Sequence, residues 1–188
     1  MKRAACLLFT AALLATSMAS AKVRNVTDPD APRSLPAEGP VAVQWTDPAQ
    51  FTDLKYSGNR WEAARGNWVF QLAEHVRDAA AKRLPEGDRL EVTITDIGRA
   101  GRYEPWHGVR MQDVRIMRDV YPPSMKLEFH QYDANGQLVA EGTRELRDLG
   151  YLMSAGALPG TSDTLRFEKR MVDDWARTEF RDRNLAGR

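Results

Sequence analysis

Residues 41–95 carry a strand pattern, a helix pattern and a second strand pattern in that order, and this succession constrains the fold more than any other feature of the chain. Val41, Val43 and Trp45 alternate with Ala42 and Gln44, the period of a strand with one buried face. Asp47-Pro48 ends that strand, because proline supplies no ladder donor and aspartate bonds to the backbone just ahead of it. From Asn59 to Leu84 the apolar residues Trp61, Ala64, Trp68, Leu72, Val76 and Ala79 recur at helical spacing, and Asn59 with Glu62 has the spacing of a capping box. Pro85 and Gly87 stop this helix, and Leu90, Val92 and Ile94 then alternate with Glu91, Thr93 and Thr95. A strand, a helix and a strand in that order predict a right-handed parallel crossover.

The second half adds an antiparallel part. After the turn-rich stretch RAGRYEPWHG, residues 109–118 are expected to form a third strand with less regular alternation. Met125 to Tyr132, Asn135-Gly136 and Gln137 to Leu146 spell a hairpin, since Asn-Gly suits the positive backbone angles of a two-residue turn. That turn sets Lys126 opposite Glu145, His130 opposite Glu141 and Phe129 opposite Gly142. It also puts Arg144 on the face of Leu127, Phe129 and Leu138, where it either takes a carboxylate from the last helix, Glu168 or Asp173, or snorkels at the sheet edge. Ser162 or Asp163 caps that helix, whose stripe is Leu165 with Val172 and Phe167 with Met171 and Trp175. The expected fold is α/β of the α+β kind: two layers, with one mixed, mostly antiparallel sheet of about five strands and two helices on one face. The other face, bearing Thr93, Thr95, Lys126, Glu128 and His130, is left to water or a partner.

The N-terminus determines where such a domain works. Lys2 and Arg3 precede an apolar run from Ala4 to Ala15 and the small tripeptide Ala19, Ser20, Ala21, the three parts of a secretory signal peptide with cleavage after Ala21. The one cysteine, Cys6, lies early in the apolar run and leaves with it, so the processed chain is expected to be periplasmic, not lipidated, without a membrane span and without disulfide or thiol chemistry. Residues 22–40 hold four prolines and three large aliphatic residues without a period, and are expected to form a disordered tether. A single globular domain over residues 41–183 follows. Loss of Lys2 and Arg3 leaves 25 basic residues against 26 acids, a balance that argues against nucleic acid as partner.

Motifs for the common chemistries are not found. The histidines His75, His107 and His130 lie far apart in the chain with no metal spacing, no GxSxG or glycine-rich phosphate loop occurs, and no catalytic residue, metal or cofactor is expected. His75 is expected at a boundary against the sheet, and His130 in a cross-strand pair with Glu141. The loop 100–108 gathers Tyr103, Glu104, Trp106 and His107, the composition of a small-ligand site or protein contact and equally of a loop folded onto its own sheet. The apolar loop 150–163 covers an end of the core or presents Leu152, Met153 and Leu158. Asp47 and Asp53 flank Phe51 where a strand hands over to a helix, and are expected to shape the chain rather than bind.

Trp45, Asp47, Pro48, Phe51, Thr52 and Asp53, then Leu84-Pro85 with Thr95, Asp96, Ile97 and Gly101, then Leu165, Arg166, Glu168, Lys169 and Trp175 form a pattern that resembles the secreted bacterial family called domain of unknown function 3016. The resemblance runs from Val41 to Phe180. Gly98 and Arg99 depart from it, standing where acidic and aliphatic residues are expected. It implies an exported Gram-negative envelope protein and carries no activity. The leading expectation is a non-enzymatic protein that binds an unknown envelope partner through its open sheet face, the 100–108 loop and Arg144. The alternatives are a small-ligand or metal-binding module lined by Tyr103, Glu104, Trp106 and His107, and a periplasmic hydrolase with His107 as base and Glu104 or Asp96 orienting it.

Overall fold

The computed structural model describes residues 25–155 and 162–180, so the expected signal peptide, its cleavage point and Leu158 lie outside the described residues. A mixed sheet of four strands runs in the order β1-β2-β5-β6, with β1 Val41–Trp45, β2 Arg89–Gly98, β5 Ser124–Tyr132 and β6 Leu138–Arg147. β1 and β2 are parallel, and the other neighbours antiparallel. Helices α3 (Trp68–Ala81) and α5 (Arg166–Glu179) pack against each other and against the sheet's apolar face. The α+β class and the two layers are those expected. The expected third strand leaves the main sheet: β3 (Arg102–Tyr103) and β4 (Arg115–Ile116) form a separate two-stranded ribbon, and Val109–Met111 is a 3-10 turn.

Alternation in the sequence becomes burial in the fold. Leu90, Val92 and Ile94 of β2 and Met125, Leu127 and Phe129 of β5 are almost wholly buried, each contributing about 1.5–3 kcal/mol on removal from water. Phe51, Leu72, Val76 and Val172 are fully buried beside them. The expected helix over 59–84 is two helices, α2 (Arg60–Ala64) and α3, separated at Gly66, whose φ of +86° no helix accommodates. Asn59 caps α2 as expected, accepting from the Glu62 N–H at 3.2 Å, but Trp61 turns to solvent. The break frees the Ala63 carbonyl, which accepts from the buried indole of Trp68 at 2.9 Å.

The hairpin keeps its expected register, with Lys126 opposite Glu145, His130 opposite Glu141 and Phe129 opposite Gly142. It arrives there by another route. The loop is Ala134 to Gly136, closed by Asp133 and Gln137, and only Gly136 has positive φ, at +79°. A register shift between Gln131 and Tyr132 then absorbs the extra residue at Val139.

Residues 25–40 correct the expectation of a disordered tether. Asn25 bridges to Arg65 and Ser34 to Gln44, and residues 33–35 run along the outer edge of β1 with the Leu35 N–H on the Val43 carbonyl at 2.9 Å and the Trp45 N–H on the Arg33 carbonyl at 2.8 Å. Val26 and Leu35 are buried in the core. Prolines exclude a helix and a central strand, yet an irregular chain still covers an edge that would otherwise stay open.

Candidate functional site

β2 loses its alternation at Thr95, where the register with β5 shifts between Ile94 and Asp96. The irregularity carries Asp96 out of the apolar row and onto the start of α1 (Thr52–Lys55), where its carboxylate accepts from the Thr52 N–H and hydroxyl, both at 2.6 Å. Asp96 therefore fixes a helix terminus and does not orient His107. Beyond it, Gly98 to Gly101 turn across the end of the sheet, and the β3–β4 ribbon folds over them. Gly58 meets this ribbon so closely that a Cβ there would have no room against the Tyr103 carbonyl.

Asp53 is the anchor of this end. Its carboxylate, on a side chain 3% exposed, accepts from Arg99 Nη2 at 2.7 Å and Nε at 3.0 Å, from the Arg99 N–H at 3.1 Å, and from Arg115 Nη2 at 2.8 and 2.9 Å. Arg99 stacks on Trp68 and donates to the Ala63 carbonyl freed by the helix break, at 2.8 Å. Arg115 stacks on Tyr103, and its Nη1 reaches the carbonyls of Arg99, Ala100 and Gly101 at 2.9 to 3.3 Å. Burial opposes the charge on Arg115, but the Asp53 carboxylate outweighs it and raises its pKa. Two guanidinia on one carboxylate leave a net positive charge under the turn. Asp47 is different in kind: it caps the 3-10 turn Pro48–Gln50, accepting from the Ala49 N–H at 3.1 Å, and pairs loosely with Arg33.

A cleft of about 330 Å³ opens at this end of the sheet, bounded by α1, the 98–101 turn, the ribbon and the ends of β5 and β6. Five cationic side chains line it, Arg99, Arg102, Arg115, Lys126 and Arg147, against three carboxylates, Asp53, Asp96 and Glu145. Thr52, Ser57 and Ser124 contribute hydroxyls, and Tyr56, Tyr103 and Tyr121 rings.

Of the loop residues expected at a site, Tyr103 lines this cleft, whereas Glu104, Trp106 and His107 do not. Glu104 is buried behind it, accepting from Arg118 Nη2 at 2.7 Å, from the Tyr121 hydroxyl at 2.8 Å and pairing with His107 Nε2 at 2.9 Å. Burial acts to raise its pKa, but the donors from Arg118, Tyr121 and His107 prevail and hold it below the usual glutamate value. Glu104 thus positions Tyr121 on the cleft wall. No serine, threonine or cysteine side chain hydrogen-bonds His107 among the described residues. Trp106 is 66% exposed.

Arg144 faces the helix-covered side of the sheet, paired with Glu179 through Nε at 2.7 Å and Nη2 at 2.9 Å, and this replaces the expected Glu168 or Asp173. Asp173 instead meets His75 Nε2 at 3.0 Å, joining α5 to α3 rather than to the sheet. His130 and Glu141 face each other at 3.5 Å as expected. In the 150–163 loop, α4 (Tyr151–Ala155) buries Tyr151 edge-on against Phe167 with its hydroxyl on the Arg118 carbonyl at 2.6 Å, while Leu152 and Met153 are exposed. Among the described residues no three histidine, cysteine, aspartate or glutamate side chains gather closely enough to hold a metal, and no helix is long and apolar enough to cross a membrane.

Glu168 is buried beside the turn, with Oε1 accepting the Ala100 N–H at 2.6 Å and Oε2 unpartnered. Burial raises its pKa above the ordinary 4.5, with the Ala100 N–H and then Arg99 and Arg115 only partly offsetting it. The folded chain therefore keeps this proton where the unfolded chain has lost it, so the group costs stability increasingly as pH rises above 4.5 toward the folded value. Glu168→Gln keeps the acceptor for Ala100 and lacks the proton. Its urea midpoint is expected to gain on the wild type from about pH 4 to about pH 8, and parallel profiles would contradict this.

The sequence signal for the cleft is the density of arginine: Arg99, Arg102, Arg110, Arg115 and Arg118 fall within residues 99–118, and three of them line it. Arg147, Thr52 and Ser57 carry no such signal. A family model described as protein of unknown function (DUF3016) matches residues 39–178. No curated protein and no solved structure matches the chain.

Proposed function

Because the chain belongs to the family of unknown function DUF3016, which supplies no activity, we propose from the site itself that this is an exported periplasmic binding protein, not an enzyme, whose working site is the cleft beside Asp53. The observation that carries the reading is the built character of that cleft. Its floor is a buried three-way ion cluster, its wall is held from behind by Glu104, and its volume of about 330 Å³ lies at the lower end of small-molecule sites. A rigid floor and a polar lining are what a site needs to hold one ligand in one orientation.

The N-terminal pattern supports export, and N-terminal sequencing of the protein from the periplasmic fraction is expected to begin at Lys22. Binding is tested by melting the protein with the low-mass fraction of a bacterial envelope extract, because a ligand that binds only the native state raises the melting temperature. The wild type is expected to shift and Ser57→Trp, which fills the cleft, to stay where it is. Equal shifts in both proteins, or none in either, would defeat the reading.

The second reading is an envelope protein docking on the open sheet face and the ribbon side, favoured by the exposure of Trp106 and of Val109, the latter 81% exposed. Photo-crosslinking in cells from position 106 and from Glu128 separates the two: a single defined protein adduct supports this reading, and background alone sinks it.

A further inference from the structure

The cleft's charges do not balance, and the imbalance identifies what it takes. Its carboxylates are all committed: Asp53 to Arg99 and Arg115, Asp96 to Thr52, and Glu145 to Lys126 at 3.5 Å. Its cations are not all so held: Lys126 shares Glu145 only at that longer distance, and two arginines hold no carboxylate. Arg147, at the end of β6 opposite Ser124, makes no side-chain hydrogen bond or ion pair among the described residues. Arg102 donates only to the Tyr56 carbonyl, with its guanidinium near the Tyr121 ring at 5.9 Å. The Nε–H of Arg115 is buried without an acceptor. Two positive charges more than the carboxylates neutralise call for an acceptor from outside the chain.

Deepening the reading of the cleft as a ligand site, we propose that its ligand is a small anion bearing a carboxylate or phosphate group, bound by Arg102, Lys126 and Arg147 over the positive floor of Arg99 and Arg115. Planar guanidinia match both groups with paired hydrogen bonds, which lysine alone does not provide. The hydroxyls of Ser57 and Ser124 supply further donors, and Tyr56 and Tyr121 leave room for an uncharged body.

The test is calorimetric titration of the purified protein at low ionic strength with citrate, inorganic phosphate and, as a neutral probe, glucose. Wild type is expected to bind citrate or phosphate saturably and not glucose, and the better of the two anions tells which group the site prefers. Arg147→Glu is expected to weaken the anion by about tenfold or more, with an unchanged melting temperature because Arg147 is exposed and unpaired. Arg110→Glu, the same charge change on an exposed residue outside the cleft, is expected to leave affinity within about twofold. Equal losses in the two variants would reduce the effect to net charge and overturn the proposal. No saturable binding of either anion also overturns it, while the extract melt with Ser57→Trp still decides whether the cleft is a ligand site at all.

Discussion

Asp53→Ala is expected to cost about 3–5 kcal/mol, because it leaves the Arg99 and Arg115 guanidinia, with side chains 14% and 15% exposed, buried without their carboxylate. The loss is read as a drop in denaturant midpoint at unchanged slope. Asp47→Ala, six residues earlier in the chain, removes an exposed cap and a loose surface pair with Arg33 and is expected to cost about 1 kcal/mol. Equal losses at the two aspartates would mean that the three-way cluster does not organise this end of the fold.

Phe129→Ala is expected to cost a similar amount, about 3–5 kcal/mol. Phe129 is 1% exposed on β5 and lies opposite Gly142, whose missing side chain makes room for the Arg144 guanidinium over the ring. Arg144 covers its face with the guanidinium carbon 4.9 Å from the ring centre, and that guanidinium is held by Glu179 at the end of α5. Removing the ring therefore opens a cavity and takes away the surface that seats the Arg144–Glu179 pair. Phe129→Leu, which keeps most of the volume, is expected to lose less than about 1.5 kcal/mol. If Phe129→Ala lost no more than Phe129→Leu, the ring would not be the seat of this contact.

Local patterns revealed the elements, and distance along the chain hid the site. The strands at Val41 to Trp45 and Leu90 to Ile94, the hairpin register and the stripe of α5 all follow from periods of two and 3.6 that burial enforces. Gly66 was visible inside the helical pattern, but a glycine is tolerated in many helices, and only the folded chain shows it at positive φ. Of the two roles open to Arg144, a carboxylate partner on the last helix or snorkelling at the sheet edge, the fold takes the first, with Glu179 in place of Glu168 or Asp173. Glu168 and Glu179 lie three turns apart, about 16 Å along one face, and nothing in the sequence fixes which turn of α5 crosses β6.

The Asp53 cluster was out of reach for the same reason. Arg99 and Arg115 lie 46 and 62 residues from Asp53, and their convergence depends on the parallel crossover, the irregularity at Thr95 and the folding back of the ribbon together. Spacing alone favoured chain shaping at both aspartates. It describes Asp47 well and covers only part of what Asp53 does. The 100–108 loop was singled out by composition, yet within it Tyr103 reaches the cleft while Glu104 works from behind and His107 stays at the rim of the ribbon. Composition locates an unusual segment, and topology decides which of its side chains face the same space.

A cleft that serves as a ligand site holds a molecule in the cell. The most direct measurement is native mass spectrometry of the protein isolated undenatured from its own cells, beside the Ser57→Trp variant isolated in the same way. A fraction of the wild type is expected to carry one bound small molecule that Ser57→Trp lacks. A bare mass for both proteins, or the same adduct on both, would contradict the account.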